Sequence, residues 1–189
     1  GYGSFRGALV HIVDAPSSLP THVTPAVSIA GDLTAAFLGL TDLVKSAWTD
    51  WLRELSSAHR SARENDRALL ESESAVIHPA RIYGELLRQL DDDAVVIGDG
   101  GDFVSFAGRF IEPRRPGCWL DPGPYGCLGT GMGYAMAARV ARPSSQVVLL
   151  LGDGAAGFSL MDVDSLVRHN LPAVMIVGNN GIWALEKGP

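Results

Sequence analysis

The chain has 189 residues, of which 47% are hydrophobic and 19% charged, and its formal net charge is −6. This composition is too apolar for a disordered chain and supplies enough hydrophobic residues for a large core. The 21 acidic residues outnumber the 15 basic ones, which excludes a non-specific nucleic-acid binder, since such a protein needs a basic surface. No apolar run approaches the ~20 residues of a membrane span. Two cysteines are too few for a disulfide framework and favour a reducing, cytoplasmic setting.

The first 75 residues predict a short β/α segment followed by a charged helical region. Residues 8–13 and 23–30 are apolar, β-branched runs typical of strands, and residues 32–40 have the pattern of a capped helix. Residues 42–73 contain no glycine or proline, carry many charges and repeat apolar residues at helical spacing as far as Leu55. We interpret them as one or two helices that form a solvated connector between domains rather than a partner-binding surface.

From residue 76 onward, the pattern predicts strands that alternate with helices. Helices are predicted at residues 79–90, 103–111, 134–141 and 160–169, and strands at residues 94–97, 147–151 and 173–177. These strands are apolar at every position, which is typical of a parallel sheet covered on both faces. The predicted fold class is therefore α/β, with a parallel sheet flanked by helices on both faces.

Two polar clusters follow neighbouring strands of this predicted sheet. Gly152-Asp153-Gly154 follows one strand, and Asn179-Asn180 follows the next. A right-handed crossover makes these strands parallel, so both clusters lie at the edge of the sheet where ligands bind. Carboxylate, amide and backbone carbonyl oxygens suit Mg²⁺, whereas neither turn has the thiolates or imidazoles that zinc prefers. Glycines beside Asp153 let backbone amides approach an anion, which predicts a metal diphosphate ligand. The alternative is that both clusters are ordinary strand-to-helix turns.

These residues also carry a resemblance to a known family. Gly152-Asp153-Gly154, followed by 24 residues and then Asn179-Asn180, resembles the signature of thiamine-diphosphate-dependent enzymes. Residues 152–162 and 168–172 extend the similarity, which is greatest to the cofactor-binding domain of the acetolactate synthase superfamily. That superfamily includes 2-hydroxyacyl-CoA lyases and oxalyl-CoA decarboxylases. The resemblance covers residues 76–189 and implies a thiamine-diphosphate-binding fold with thiamine diphosphate and Mg²⁺ as cofactors.

The resemblance assigns roles at the two clusters. The implied Mg²⁺ ligands are the side chains of Asp153 and Asn180 and the backbone carbonyl of Ile182. Backbone amides hold the diphosphate at the first cluster, whose cofactor-binding residues are Gly152, Asp153, Gly154 and Ala155. Trp183 and Glu186 fall in a region that often lines the substrate pocket.

A second phosphate-contacting turn corresponds to Gly100-Gly101-Asp102. Many synthases carry Gln-His at this turn, and Asp102 would place a negative charge near the phosphate. Hydrogen bonds from local amides are therefore the alternative role for its carboxylate.

The loop of residues 126–133 resembles the turn beneath the rings of the cofactor. By this resemblance, Thr130 occupies the position of the bulky residue that keeps the cofactor bent, and the Leu128 carbonyl binds the 4′-amino group. Considered without the family, a glycine-rich loop before a helix could bind a dinucleotide, but this one lacks the GxGxxG spacing directly after a strand.

The resemblance also implies a domain organisation. Residues 1–40 correspond to the end of a central domain, residues 41–75 to a helical linker, and residues 76–189 to a cofactor domain that is C-terminally incomplete. The chain would then be a truncated fragment, and FAD is a possible further cofactor, held by the missing part of the central domain. The activating glutamate of the family belongs to a first domain, so no catalytic residue is assigned here and the chain alone is expected to lack turnover.

Three functions stay open at this point. An acetolactate synthase-like enzyme would decarboxylate a 2-oxo acid, such as pyruvate, and join the product to a second carbonyl, acting as a homodimer or homotetramer. A 2-hydroxyacyl-CoA lyase or oxalyl-CoA decarboxylase would act on an acyl-CoA. A non-catalytic nucleotide-binding or regulatory module is the third alternative. Neither nucleic acid nor a membrane is an expected partner.

Overall fold

A computed structural model describes residues 7–18, 23–43 and 48–183 of the chain. The chain divides into two compact units, Gly1–Arg60 and Ser61–Pro189. Within the described residues, no helix is both long and apolar enough to cross a membrane. The assignment of residues 1–40 to a central domain and of residues 41–75 to a linker stays a prediction.

The first unit contains a parallel pair of strands and a helix. The Asp32 carboxylate accepts a hydrogen bond from the Ala35 amide at 2.6 Å and so caps the helix, as the sequence predicts. The elements are β1 (Val10–Val13), β2 (Val27–Ala30) and α1 (Leu33–Leu43).

The charged stretch after α1 is helical, as predicted. Its helix is α2 (Thr49–Leu70), which has no buried residue. Residues 44–47, which the prediction also included, lie outside the described residues.

The second unit is a four-stranded parallel sheet covered by helices, which confirms the predicted fold class. The strand order is β4-β3-β5-β6, and every neighbouring pair is parallel. The strands are β3 (Val95–Asp99), β4 (Trp119–Leu120), β5 (Val147–Gly152) and β6 (Val174–Gly178). The helices are α3 (Pro79–Leu86), α4 (Gly101–Phe110), α5 (Gly131–Ala141), α6 (Asp153–Ser159) and α7 (Val163–Arg168).

The two faces of the sheet have separate cores, because successive side chains of a strand point to opposite faces. On one face, Leu149 and its alternate neighbours in β5 pack against α5, α6 and α7. On the other face, Leu150 and Val148 pack against α3 and α4. Central strands that are buried on both faces are the physical reason for the apolar runs in the sequence.

The structure corrects several predicted boundaries, and glycine accounts for two of them. Helices α4 and α5 begin at Gly101 and Gly131, two and three residues before the predicted starts at Phe103 and Tyr134. Glycine has low helix propensity, so these first turns do not look helical in the sequence, although tertiary packing fixes them.

The turn predicted after β5 is wrong in one respect, because α6 begins at Asp153 directly after the strand. The predicted helix over residues 160–169 is a 3₁₀ turn (Leu160–Asp162) followed by α7. β4 is not among the predicted strands, since its two residues are too few to show a period in the sequence.

Candidate functional site

A cavity of about 640 Å³ opens at the carboxyl ends of the parallel strands in the second unit. This is the edge where ligands bind in open α/β sheets. Ten of the eleven predicted site residues line it: Gly100, Gly101, Asp102, Leu128, Gly152, Asp153, Gly154, Ala155, Asn180 and Ile182. Thr130 is not among the lining residues.

The pairing of β5 with β6 brings the two predicted metal-binding segments together. Gly152 and Gly178 are opposite each other in the parallel register, so Asp153 and the Asn179-Asn180 pair follow adjacent strand ends. The Asn180 Oδ1 atom accepts a hydrogen bond from the Ile182 amide at 3.1 Å. This local turn fixes the loop at the cavity, and a carbonyl oxygen that accepts one hydrogen bond keeps a second lone pair.

Trp183 covers part of this segment. Its indole lies against Gly154 so closely that a Cβ on this glycine would be 2.4 Å from Nε1. The indole also contacts the Phe158 ring, with centroids 6.2 Å apart. Trp183 lines the cavity, whereas Glu186 lies outside the described residues.

The turn between β3 and α4 lies against two other segments of the cavity. Gly100 is the N-cap of α4, and its φ of +74° is in the left-handed region that favours glycine. A Cβ at Gly100 would be 2.3 Å from Leu128 Cδ2 and 3.1 Å from Ala155 Cβ. Only a residue without a side chain allows the three predicted cofactor-binding segments to meet here.

The side chains that line the cavity give it a negative charge. Its described lining residues include Asp102, Asp121 and Asp153 but no lysine, arginine or histidine. The Asp121 carboxylate is held by hydrogen bonds from Trp119 Nε1 at 2.8 Å and from the Gly123 amide at 2.7 Å. An anionic ligand at this edge therefore needs a cation or backbone amides to offset the carboxylates.

Within the described part of the chain, no three His, Cys, Asp or Glu side chains gather into a metal-binding group. The donor set predicted for Mg²⁺ is of a different kind, because it combines one carboxylate with an amide oxygen and a backbone carbonyl. Such a set suits a hard cation that takes its other ligands from phosphate and water.

Comparison with known proteins identifies the family of the domain that contains this edge of the sheet. Residues 99–189 match the family described as thiamine pyrophosphate enzyme, C-terminal TPP binding domain. Residues 99–189 therefore belong to the thiamine pyrophosphate enzyme family. The match begins at the last residue of β3, so the strand-end turns that line the cavity all lie within the thiamine pyrophosphate-binding domain.

The relatives are longer proteins. A probable acetolactate synthase of Mycobacterium bovis and the acetolactate synthase large subunit IlvG of Mycobacterium tuberculosis are each 49% identical to the chain, over all of the chain and 35% of the relative. Human 2-hydroxyacyl-CoA lyase 2 is 37% identical over 84% of the chain and 26% of the relative. The chain thus spans about a third of the length of the first two relatives.

The residues of the thiamine pyrophosphate-binding domain fit the cofactor that its family implies. Gly100 and Gly154 line the cavity, and a Cβ at either position would collide with Leu128 or with Trp183, so glycine keeps backbone close to these neighbouring segments. Asp153, Asn180 and Ile182 supply the oxygen types that bind Mg²⁺.

Thr130 lies at the start of α5, outside the residues that line the cavity. It is the N-cap residue of α5 but makes no side-chain capping hydrogen bond, and its hydroxyl is buried without a partner. Its predicted contact with the cofactor rings stays a prediction.

Sequence reasoning missed Asp99, which the domain buries completely at the end of β3. Its carboxylate accepts hydrogen bonds from the Gly129 amide at 2.9 Å and from the Gly131 amide at 2.8 Å. The signal in the sequence is a carboxylate directly after an apolar strand, which local reasoning assigns to the turn. A fully buried charged residue in a strand is rare unless it is hydrogen-bonded in this way.

Proposed function

We propose that the chain is part of a thiamine-diphosphate- and Mg²⁺-dependent enzyme of the acetolactate synthase type. Such an enzyme decarboxylates a 2-oxo acid, such as pyruvate, and joins the product to a second carbonyl compound. The observation that carries the proposal is the cavity itself, whose lining includes Asp153, Asn180 and Ile182 together with Gly100 and Leu128. The 49% identity to two proteins named as acetolactate synthases supports the choice of reaction.

The proposed Mg²⁺ ligands are the Asp153 carboxylate, the Asn180 amide oxygen and the Ile182 carbonyl. The negative lining of the cavity supports a metal, because a diphosphate would otherwise meet carboxylates and no cationic side chain among the described lining residues. Backbone amides at Gly154 and Ala155 add hydrogen-bond donors for the phosphate oxygens.

Thiamine diphosphate, when bound, supplies a nucleophilic carbon and an electron sink, which removal of a carboxyl group from a 2-oxo acid requires. The chain's own residues have simpler tasks. The turn at Gly100 and Gly101 would bring backbone close to the phosphate groups, and the Leu128 carbonyl would orient the ring end. The Trp183 indole, which packs against Gly154, would shield that part of the cavity from water. No side chain in the described residues is assigned a proton-transfer role.

A second candidate is a 2-hydroxyacyl-CoA lyase. Relatives of that name from human and mouse are 37% and 36% identical to the chain over 84% of its length. A third candidate, a nucleotide-binding module without catalysis, would keep the cavity but bind no thiamine diphosphate.

The wider setting is also part of the proposal. The enzyme would act in the cytoplasm as a homodimer or homotetramer, and FAD, if used, would bind outside the described cavity. Its substrate would be a 2-oxo acid, or an acyl-CoA in the second candidate.

Calorimetry on the full-length protein tests the cofactor. We expect thiamine diphosphate to bind in the presence of Mg²⁺ and to bind weakly when EDTA removes the metal. Asp153→Ala should abolish the Mg²⁺ dependence, and Asp121→Ala, which removes a carboxylate of the same cavity outside the donor set, should keep it. Equal binding by the wild-type protein and Asp153→Ala would refute the metal site.

Substrate assays then separate the two enzymes. Pyruvate consumption with release of CO₂ supports the first candidate, and cleavage of a 2-hydroxyacyl-CoA with no reaction on pyruvate supports the second. A protein that binds a nucleotide but no thiamine diphosphate would be the non-catalytic module.

A further inference from the structure

One buried side chain connects two segments of the cavity without lining it. Asp99 is 0% exposed at the end of β3. Its Oδ1 atom accepts a hydrogen bond from the Gly129 amide at 2.9 Å, and its Oδ2 atom accepts one from the Gly131 amide at 2.8 Å. Since both carboxylate oxygens bind the same loop, Asp99 fixes that loop to the end of the strand. Hydrogen bonds to a charged acceptor are stronger than those between neutral groups.

Asp99 also replaces the local cap of α5. The first amides of a helix have no acceptor within the helix, and the N-cap residue Thr130 provides none from its side chain. The carboxylate of Asp99 binds the first of these amides, at Gly131, where a negative charge is also favoured by the helix dipole. A Cβ at Gly131 would be 2.8 Å from both Cβ and Oδ2 of Asp99, so the contact requires glycine on one side and a short acid on the other.

The contact between Asp99 and the two amides holds the segment that contains Leu128, whose carbonyl has a role in the proposed function. Leu128 immediately precedes Gly129, and its side chain lies against Gly100, the residue after Asp99. The loop is therefore attached to the β3–α4 turn at two adjacent points, one polar and one apolar. Both hydrogen bonds come from amides of the segment after Leu128. Neither involves the residues around Asp153, where the diphosphate is proposed to lie.

We propose that Asp99 is a positioning residue that keeps the loop at Leu128 in the conformation that receives the ring end of the cofactor. This inference rests on the proposed function. If the loop is correctly placed in only a fraction of molecules, the apparent affinity for a ligand that uses the loop falls by that fraction. A ligand that uses only the diphosphate end should not be affected.

Asp99→Asn tests the inference because it keeps the shape of the side chain but places an NH₂ group against a backbone N–H. Calorimetry on the full-length protein should measure two ligands in the presence of Mg²⁺, namely thiamine diphosphate and inorganic pyrophosphate. We expect Asp99→Asn to weaken thiamine diphosphate binding by at least about tenfold, the equivalent of one lost charge-assisted hydrogen bond. Pyrophosphate binding should change by less than about twofold, because residues 126–130 are not among the groups proposed to hold the diphosphate.

Asp93→Asn is the matched control. Asp93 precedes the same strand at its opposite end and accepts a hydrogen bond from the Ser145 hydroxyl at 2.8 Å. This substitution should lower the midpoint of thermal unfolding but leave the ratio of the two affinities unchanged.

The outcomes are distinct. An equal loss for both ligands, or no loss for either, overturns the positioning role while the proposed function stands. A wild-type protein that binds neither ligand overturns the proposed function and the inference with it.

If Asp99→Asn does not fold, hydrogen exchange on the wild-type protein gives a second test. Thiamine diphosphate should slow exchange of the Gly129 and Gly131 amides more than pyrophosphate does. Equal slowing by both ligands would overturn the inference.

Discussion

Gly131→Ala is the substitution whose effect the structure defines most sharply. The added Cβ would lie 2.6 Å from Leu149 Cδ1 and 2.8 Å from both Cβ and Oδ2 of Asp99, whereas ordinary contact begins at 3.4 Å. These neighbours would have to move by about 0.6–0.8 Å, and both residues are 0% exposed, so neither can move into solvent.

The cost can be worked out from these contacts. Overpacking in a filled core costs about 1–3 kcal/mol, and weakening one hydrogen bond to the Asp99 carboxylate adds about 1 kcal/mol. We expect Gly131→Ala to lower the free energy of unfolding by about 2–4 kcal/mol in total.

Gly133→Ala is the control within the same helix. Gly133 is exposed and nothing lies within 4 Å of its added Cβ, so alanine should raise stability by about 0.5–1 kcal/mol through its higher helix propensity. The two substitutions, two residues apart in α5, should therefore have opposite signs.

Urea unfolding followed by circular dichroism measures both free energies, provided that the m-values match that of the wild-type protein. A neutral or stabilising Gly131→Ala would refute the packing around Asp99. A destabilising Gly133→Ala would refute the open environment at that position.

Three further predictions concern the surroundings of the cavity. Burial raises the pKa of Tyr83 above its ordinary value of 10.0, so the free energy of unfolding should fall as the pH rises above about 10. Tyr83→Phe should flatten that fall in alkaline unfolding titrations. Because it removes the hydrogen bond to the Phe103 carbonyl, it should also cost about 0.5–1.5 kcal/mol at neutral pH. Gly154→Ala should displace the Trp183 indole and change tryptophan emission, a change that must disappear in Trp183→Phe. Gly178→Ala places a Cβ 2.4–2.8 Å from three ring atoms of Phe103 and should lower the free energy of unfolding by about 1–3 kcal/mol, measured in urea. Adding Phe103→Leu to this variant should recover part of the lost stability. If it recovers none, the steric explanation is wrong.

The sheet could be predicted from the sequence because its two central strands are buried on both faces. β3 and β5 leave an unbroken apolar signal, and their ends coincide with polar clusters that the fold rules place at one edge. The apolar run of β6, together with the rule for parallel crossovers, then predicts that Asp153 and Asn180 lie at the same edge of the sheet.

The parts that could not be predicted depend on long-range contacts. The helical first turn at Gly131 exists because Leu149 and Asp99 pack against it, and a local pattern cannot contain that information. The two hydrogen bonds that the Asp99 carboxylate accepts come from amides 30 and 32 residues further along the chain. Because these donors are distant in the sequence, a local pattern shows Asp99 only as an ordinary turn residue. The resemblance predicts a contact between Thr130 and the cofactor, and this contact stays a prediction because Thr130 lies outside the cavity lining.

The order of the strands has a consequence for how such a site can diversify. The segments at Gly100, Asp153 and Asn180 follow three adjacent strands, and hydrogen bonds hold neighbouring strands about 4.8 Å apart. The hydrogen bonds between the strands thus fix the spacing of the three turns that line the ligand site. Changes of ligand at this edge must come from the residues of the turns, because the distance between the turns cannot be altered without breaking the sheet.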